Sequence, residues 1–276
     1  MLKALSNLRP TEPSLIERLG HVIGALGSPG FAPCLDAFLS ELVRFDLTCI
    51  FAYPSGRGPV LLHDGLRGIG NEQAMENYLK GTYLLDAVYI ACSHGKAPGL
   101  YRLRDLAPDA FFVSDYYNSW EVHPCISMDS GSLDEEICFI ARAADTQVAY
   151  SLMRSNGSGA FSDAELDQLR TVEPVVIELI GQQWREPSWN LEPRRSERDR
   201  AVLEDAFQSF GRDALTARET DICRLLLRGH STVSIAHSLG LAEGTVKNHC
   251  KHICARLSIS SRSELFRMFL NHIFAG

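Results

Sequence analysis

The sequence predicts an α+β N-terminal domain, with an antiparallel sheet flanked by helices, and an all-α C-terminal domain of four helices. Helical and strand patterns alternate over residues 1–185. Residues 186–200 are too dense in charge and proline to form a core. Residues 211–276 hold short helices with their own start signals. We therefore expect domains over 1–185 and 211–276, separated by a linker and connecting helix over 186–210.

The N-terminal domain starts with two predicted helices, over residues 12–26 and 35–43. Strand patterns over 47–53 and 60–63 then flank a turn rich in glycine and proline at 54–59, which predicts a hairpin.

A second predicted hairpin pairs residues 136–142 with 148–154 across the turn 143–145, and a weaker strand lies near 100–103. The closing helix starts at a capping box, Ser162 with Glu165, and continues past Pro174 to about residue 184. This order predicts an antiparallel sheet covered on both faces, a layout similar to the PAS and GAF sensor modules.

The C-terminal domain is predicted from its helix boundaries. Thr216 and Glu219 form a capping box, and Gly229 ends the first helix. Ser231 caps the second helix, and Gly240 ends it.

The third helix, over residues 243–257, has apolar residues at steps of four, three and four, which places them on one buried face: Val246, Cys250, Ile253 and Leu257. Amide and ammonium groups on or beside the opposite face can meet base edges and phosphates. The residues predicted to contact DNA are Thr245, Val246, Lys247, Asn248, Lys251 and His252.

The fourth helix starts at Ser261 with Glu264. Its apolar residues extend farther round the helix than one small domain is expected to bury, and they are Leu265, Phe266, Met268, Phe269, Leu270, Ile273 and Phe274. This excess predicts pairing with a second copy of the chain.

About the last 60 residues resemble the LuxR-type helix-turn-helix of bacterial transcriptional regulators. The segments that carry the resemblance are Leu215-Thr216-x-Arg218-Glu219, Gly229, Ile235-Ala236-x-x-Leu239-Gly240, Glu243-Gly244-Thr245-Val246-Lys247-x-His249 and Ser260-Ser261-Arg262-x-Glu264. The resemblance implies base or phosphate contacts at Lys247, Asn248 and Lys251, and a dimer contact at the fourth helix. Ala242 departs from the family pattern, because Ser or Thr usually caps the recognition helix there.

The two domains differ in net charge, as expected of a regulator that contacts DNA phosphates only through its C-terminal domain. The chain carries a net charge of −7, yet from Gly211 onward nine Lys or Arg stand against five Asp or Glu. Double-stranded DNA is therefore the predicted partner. No apolar run is long enough to span a membrane and no signal peptide is evident, so we expect a cytoplasmic protein without a membrane partner.

Eight cysteines are present, and most lie among apolar neighbours without zinc-ligand spacing. Cys250 and Cys254, with His249, form the best metal candidate, but their positions favour packing. We expect no metal and no cofactor. Enzymatic pairs such as Cys125 with His123, or Asp86 with His94, lack a framing motif, so we expect no enzyme. A phosphorylated response regulator is excluded because the chain opens with a helix.

Aromatic residues between 78 and 120 suit an apolar small-molecule pocket with a few polar groups. The predicted ligand-binding residues are Tyr78, Tyr83, Asp86, Tyr89, Tyr101 and Trp120. The segment partly resembles the acyl-homoserine-lactone sensors of the same family, but Ala74 and Ala87 replace their Trp and Pro, which favours a different, unknown metabolite. The alternatives are that the aromatics are core, or that this domain is a protein-interaction or dimerisation module.

Overall fold

The computed structural model describes residues 14–55, 58–66, 72–118, 133–186 and 208–275. Its sheet is wholly antiparallel. The strands are β1 (Leu47–Tyr53), β2 (Val60–Gly65), β3 (Gly99–Arg102), β4 (Leu133–Ala143) and β5 (Thr146–Ser155), in the order β2-β1-β5-β4-β3. Both predicted hairpins and the weaker strand are confirmed.

Helices surround this sheet and form the C-terminal domain. Those of the N-terminal domain are α1 (Leu15–Gly24), α2 (Phe31–Ser40), α3 (Glu72–Lys80), α4 (Ala87–Ser93), α5 (Leu103–Leu106), α6 (Asp115–Asn118) and α7 (Asp163–Gln183), with 3₁₀ turns at Thr82–Leu85 and Phe111–Val113. Those of the C-terminal domain are α8 (Ala217–Leu227), α9 (Thr232–Leu239), α10 (Glu243–Leu257) and α11 (Arg262–Ala275). The second helix begins earlier than predicted, because Pro33 fits the first turn of a helix.

Side chains alternate between the two faces of the sheet, as the period of a strand requires. Ile50, Phe139 and Tyr150 join a buried cluster with α1, α2 and α7. Phe51 and Met153 join the cluster that includes α3 and α4. Both faces are therefore covered, as predicted for an α+β domain.

Local hydrogen bonds fix the long helix α7 against the sheet. Ser162 and Glu165 form the predicted capping box. A hydrogen bond from the Arg154 guanidinium, together with those from Ser162, lowers the pKa of Glu165 to about 2 although burial raises it. This ion pair ties the start of α7 to β5. Pro174 lies inside the helix without ending it.

The C-terminal helices begin and end at the predicted residues. Thr216 with Glu219, and Ser231, cap α8 and α9 through their side chains. Gly240 adopts the left-handed conformation, with φ of 64°, where the chain turns into α10. Ala242 gives α10 no side-chain cap, as the sequence indicates. The predicted linker falls mostly outside the described residues, since 187–207 are not among them.

Candidate DNA-binding face and sensor site

Helix α10 presents a polar face to solvent and an apolar face to the core. Thr245, Lys247, Asn248, Lys251 and His252 are all exposed. Val246 is completely buried, so its predicted DNA contact is wrong. Its place in the helix period fits packing against α8 and α9.

The two lysines of this face differ in their surroundings. The ammonium group of Lys247 lies 2.7 Å from Glu243 Oε1, a pair spaced four residues apart on the helix. Thr232 Oγ1 donates a hydrogen bond to the same oxygen at 3.1 Å. Lys251 forms no ion pair with any of the described residues. Lys251 is therefore the more available cation for phosphate.

Glu219 links α8 to α10, which the sequence did not predict beyond its role in the capping box. The carboxylate is only 2% exposed and accepts hydrogen bonds from the backbone N–H and Oγ1 of Thr216. Arg256 Nε lies 3.5 Å away and His252 Nδ1 lies 3.9 Å away. The backbone hydrogen bond from Thr216 does most to lower the pKa of Glu219, against the effect of burial.

Four of the predicted ligand-binding residues form one aromatic cluster. Tyr78 donates to Asp86 Oδ2 at 2.6 Å, and its hydroxyl lies 3.1 Å from that of Tyr53. The rings of Tyr83 and Tyr89 meet edge to face at 4.7 Å. Asp86 also caps α4 through the N–H of Val88, so its carboxylate is already satisfied in this state.

Tyr101 lies apart from this cluster. Its hydroxyl donates to the Ala97 carbonyl, and the ammonium of Lys96 lies 4.7 Å from its ring centre. Trp120 is outside the described residues.

A cavity of about 500 Å³ lies between β4 and the segment from α5 to α6. Its lining residues are Leu103, Arg104, Phe112, Tyr117, Asn118, Leu133, Asp134, Glu135 and Glu136. None of the predicted ligand-binding residues in the described part of the chain lines it. Burial, followed by the nearby charge of Asp86, raises the pKa of Glu136 to about 8, so this carboxyl is largely protonated at neutral pH.

The two domains contact each other through the loop between α8 and α9. Asp109 accepts hydrogen bonds from the N–H and hydroxyl of Ser231. The N–H of Ala110 donates to the Gly229 carbonyl at 3.0 Å. A Cβ on Gly229 would lie 2.7 Å from Phe111 Cα, so only glycine permits this approach. Ser263 adds a hydrogen bond to Asp115 at 3.0 Å.

Five apolar residues of α11 are buried within one chain. Leu265, Phe266, Phe269, Leu270 and Ile273 are all buried, and the Phe269 ring packs on Phe210 at 5.3 Å. Part of α11 faces the N-terminal domain across a smaller cavity, which Tyr116 also lines. Part of the apolar surface that the sequence predicts to exceed what the C-terminal domain alone can bury therefore lies against the N-terminal domain, and pairing of α11 with a second copy stays a prediction.

Asp86 and His94, one of the pairs considered for catalysis, each have other hydrogen-bond partners. Asp86 is engaged as described, and His94 Nδ1 lies 2.7 Å from the Ile90 carbonyl. Cys125 and His123 are outside the described residues. Cys250 and Cys254 are free and half-buried. Among the described helices, none has the length and apolar character needed to cross a membrane.

Known proteins are similar to parts of this chain. The family "Bacterial regulatory proteins, luxR family" matches residues 213–269. An HTH-type transcriptional regulator of the exeN 3′ region of Aeromonas salmonicida is 40% identical over 129 residues, which cover 45% of this chain and 66% of that protein. The spore germination protein GerE of Bacillus subtilis is 38% identical over 71 residues, or 24% of this chain and 93% of GerE.

One further relative and two solved structures are also similar. MctR of Rhizobium johnstonii, a transcriptional regulatory protein, is 39% identical over 22% of this chain, and the match spans 29% of MctR. The LBD domain of VqsR from Pseudomonas aeruginosa has a TM-score of 0.49 at 21% identity, covering 61% of this chain and 94% of that one. SdiA of Escherichia coli has a TM-score of 0.41 at 11% identity, covering 92% and 95%.

Proposed function

This chain belongs to the luxR family of bacterial regulatory proteins, and from that premise we propose that α10 reads a specific duplex DNA sequence. The chain is a transcriptional regulator, a class without enzymatic activity. The observation that carries the proposal is the exposed polar face of α10, with Thr245, Lys247, Asn248, Lys251 and His252 turned away from its buried stripe. In this proposal Lys251 contacts a phosphate, and the polar side chains beside it contact base edges.

Lys251→Ala tests this face. Lys251 forms no ion pair with the described residues, so the substitution removes a cation without breaking such a pair. We expect weaker binding to a duplex selected with the wild-type protein, and a salt dependence reduced by about one counterion for a phosphate contact. A base contact would instead cost about 1 to 3 kcal/mol. Fluorescence anisotropy at several salt concentrations measures both quantities.

Lys80→Ala is the matched control, since it removes one exposed lysine from α3 of the N-terminal domain. It should leave DNA affinity close to that of the wild type. Equal affinities for the wild type and Lys251→Ala would contradict the assignment of α10.

We propose that the N-terminal domain binds a small-molecule effector in the cavity beside Glu136. Its protonated carboxyl can donate a hydrogen bond there, and Asp86 lies close enough to influence its pKa. When the hydrogen bond from Tyr78 to Asp86 breaks, Tyr78, Tyr83 and Asp86 would become part of the binding site. Leu133→Trp should fill the cavity and abolish binding.

Native mass spectrometry of protein purified from the bacterium that encodes it measures the bound molecule directly. Tyr101→Phe, which alters a tyrosine outside the cluster, should retain the molecule. A molecule that stays bound to Leu133→Trp excludes the cavity. Wild-type protein without any bound molecule favours the alternative of an interaction module, which the self-satisfied Asp86 network supports.

The proposed complex is a homodimer on an inverted-repeat operator, as the family resemblance implies, with each α10 in a major groove. We propose a cytoplasmic location because the DNA partner lies there.

A further inference from the structure

Three side chains at the contact between α8 and α10 are close enough to share one metal ion. One carboxylate oxygen of Glu219 and one ring nitrogen each of His249 and His252 all lie within 4.8 Å of one another. From this cluster we propose a site for a divalent transition metal of the zinc class, held by two imidazoles and a carboxylate. No other such group of three occurs among the residues that the structure describes, and no cysteine belongs to this one.

Hydrogen bonds orient the Glu219 carboxylate so that it can act as a metal ligand. Thr216 orients Glu219 through two hydrogen bonds to Oε2, at 2.9 and 2.8 Å from the backbone N–H and from Oγ1. Arg256 also lies against Oε2. The other oxygen, Oε1, faces His252. Outer hydrogen bonds of this kind fix the direction of a metal ligand, which favours binding through Oε1.

The imidazoles are spaced three residues apart on α10, which places them on one side of the helix. Their ring centres are 6.5 Å apart. Nδ1 of His249 is buried and has no hydrogen-bond partner within the described residues, so this ring has a nitrogen open to a new ligand. The side chain of His252 is 68% exposed, which leaves it free to move inward. The donor atoms must approach one another to roughly 3.3 Å for a tetrahedral ion with bonds near 2.0 Å.

A bound ion would tie the start of α8 to the middle of α10 and would withdraw His252 from the DNA-facing surface. Water would occupy the fourth position, as in other zinc sites with three protein ligands. The site shares His252 with the proposed DNA-contacting face, whereas Glu219 and His249 are not among the residues of that face. Metal binding can therefore be measured without DNA.

The test uses full-length protein, free of affinity tags and stripped with a chelator. Titration with Zn²⁺ by calorimetry should show binding that His252→Ala weakens at least about tenfold, because loss of an outer-shell partner alone costs 10- to 100-fold. His237→Ala, which removes an exposed histidine from α9, should leave the affinity unchanged. Zn²⁺ should also raise the melting temperature of the wild type more than that of His252→Ala.

Substitution by Co²⁺ identifies the donor atoms. Visible absorption bands of a tetrahedral ion, without a thiolate-to-cobalt band in the near ultraviolet, support the proposal. A thiolate band, or equal Zn²⁺ affinity in the wild type and His252→Ala, overturns it. Glu219→Gln keeps an oxygen for Thr216 and should also bind Zn²⁺ more weakly; equal binding by this variant would exclude the carboxylate.

Discussion

At the scale of single residues, Glu136 combines burial with an ionisable group. Ser151 donates a hydrogen bond to one oxygen at 2.7 Å, and the residue is 8% exposed. Ionisation in this surrounding is unfavourable because the charge leaves water. The carboxyl therefore makes the stability of the folded protein depend on pH.

Glu136→Gln should reduce that dependence. The pKa of Glu136 rises from 4.5 to about 8 on folding, so its stabilising effect is complete below pH 4.5 and is lost as pH rises through about 8. Urea unfolding between these pH values should show a smaller loss of stability in Glu136→Gln than in the wild type. The exposed Glu76→Gln serves as control. Identical pH profiles for Glu136→Gln and the wild type would show that Glu136 titrates normally.

Residue roles were predictable where they depend on local spacing. Thr216 with Glu219, and Ser162 with Glu165, form the capping boxes that their separation of three residues indicates. The sequence places Val246 both in the buried stripe and among the DNA contacts, and its complete burial agrees with the stripe that the helix period predicts. The approach of Glu219 to His249 has no such signal, because it joins helices that are distant in sequence.

At the scale of elements, α10 lacks a cap that its position in the domain would allow. Ala242 has an extended backbone conformation, with φ of −75° and ψ of 144°, which suits a capping serine. Ala242→Ser should stabilise the protein by about 1 kcal/mol through a hydrogen bond to the N–H of residue 244 or 245. Thermal unfolding measures the gain, with Ala242→Gly as the comparison. A serine variant no more stable than the wild type would show that the cap does not form.

The sequence predicts the bounds of the strands more closely than those of α2, and it does not predict the cavity. The short, mostly apolar runs over 47–53 and 148–154 are bounded by turn residues, a local signal that predicts buried strands. The cavity beside Glu136 results from side chains on β4, α5 and α6, which no single window of sequence contains.

At the scale of the whole molecule, Gly229 controls how closely the domains approach. Gly229→Ala places a Cβ 2.7 Å from Phe111 Cα and strains a backbone with φ of +86°. Gly240→Ala carries the same kind of strain, at φ of +64°, with no atom within 4 Å of its Cβ. We expect faster amide hydrogen exchange at Ala110 and Ser231 in Gly229→Ala only. Equal exchange in both variants would mean that the contact tolerates the methyl group.

The contact at α11 bears on two equilibria: docking of α11 on the N-terminal domain of its own chain, and pairing of α11 with a second copy. Docking of α11 on its own N-terminal domain is intramolecular, so its occupancy does not change when the protein is diluted. Pairing of α11 with a second copy, if it uses the same face, increases with the amount of protein present. If pairing uses this face, competition between the two would let a dimer form only above a threshold of expression, and the hydrogen bond from Ser263 to Asp115 would raise that threshold.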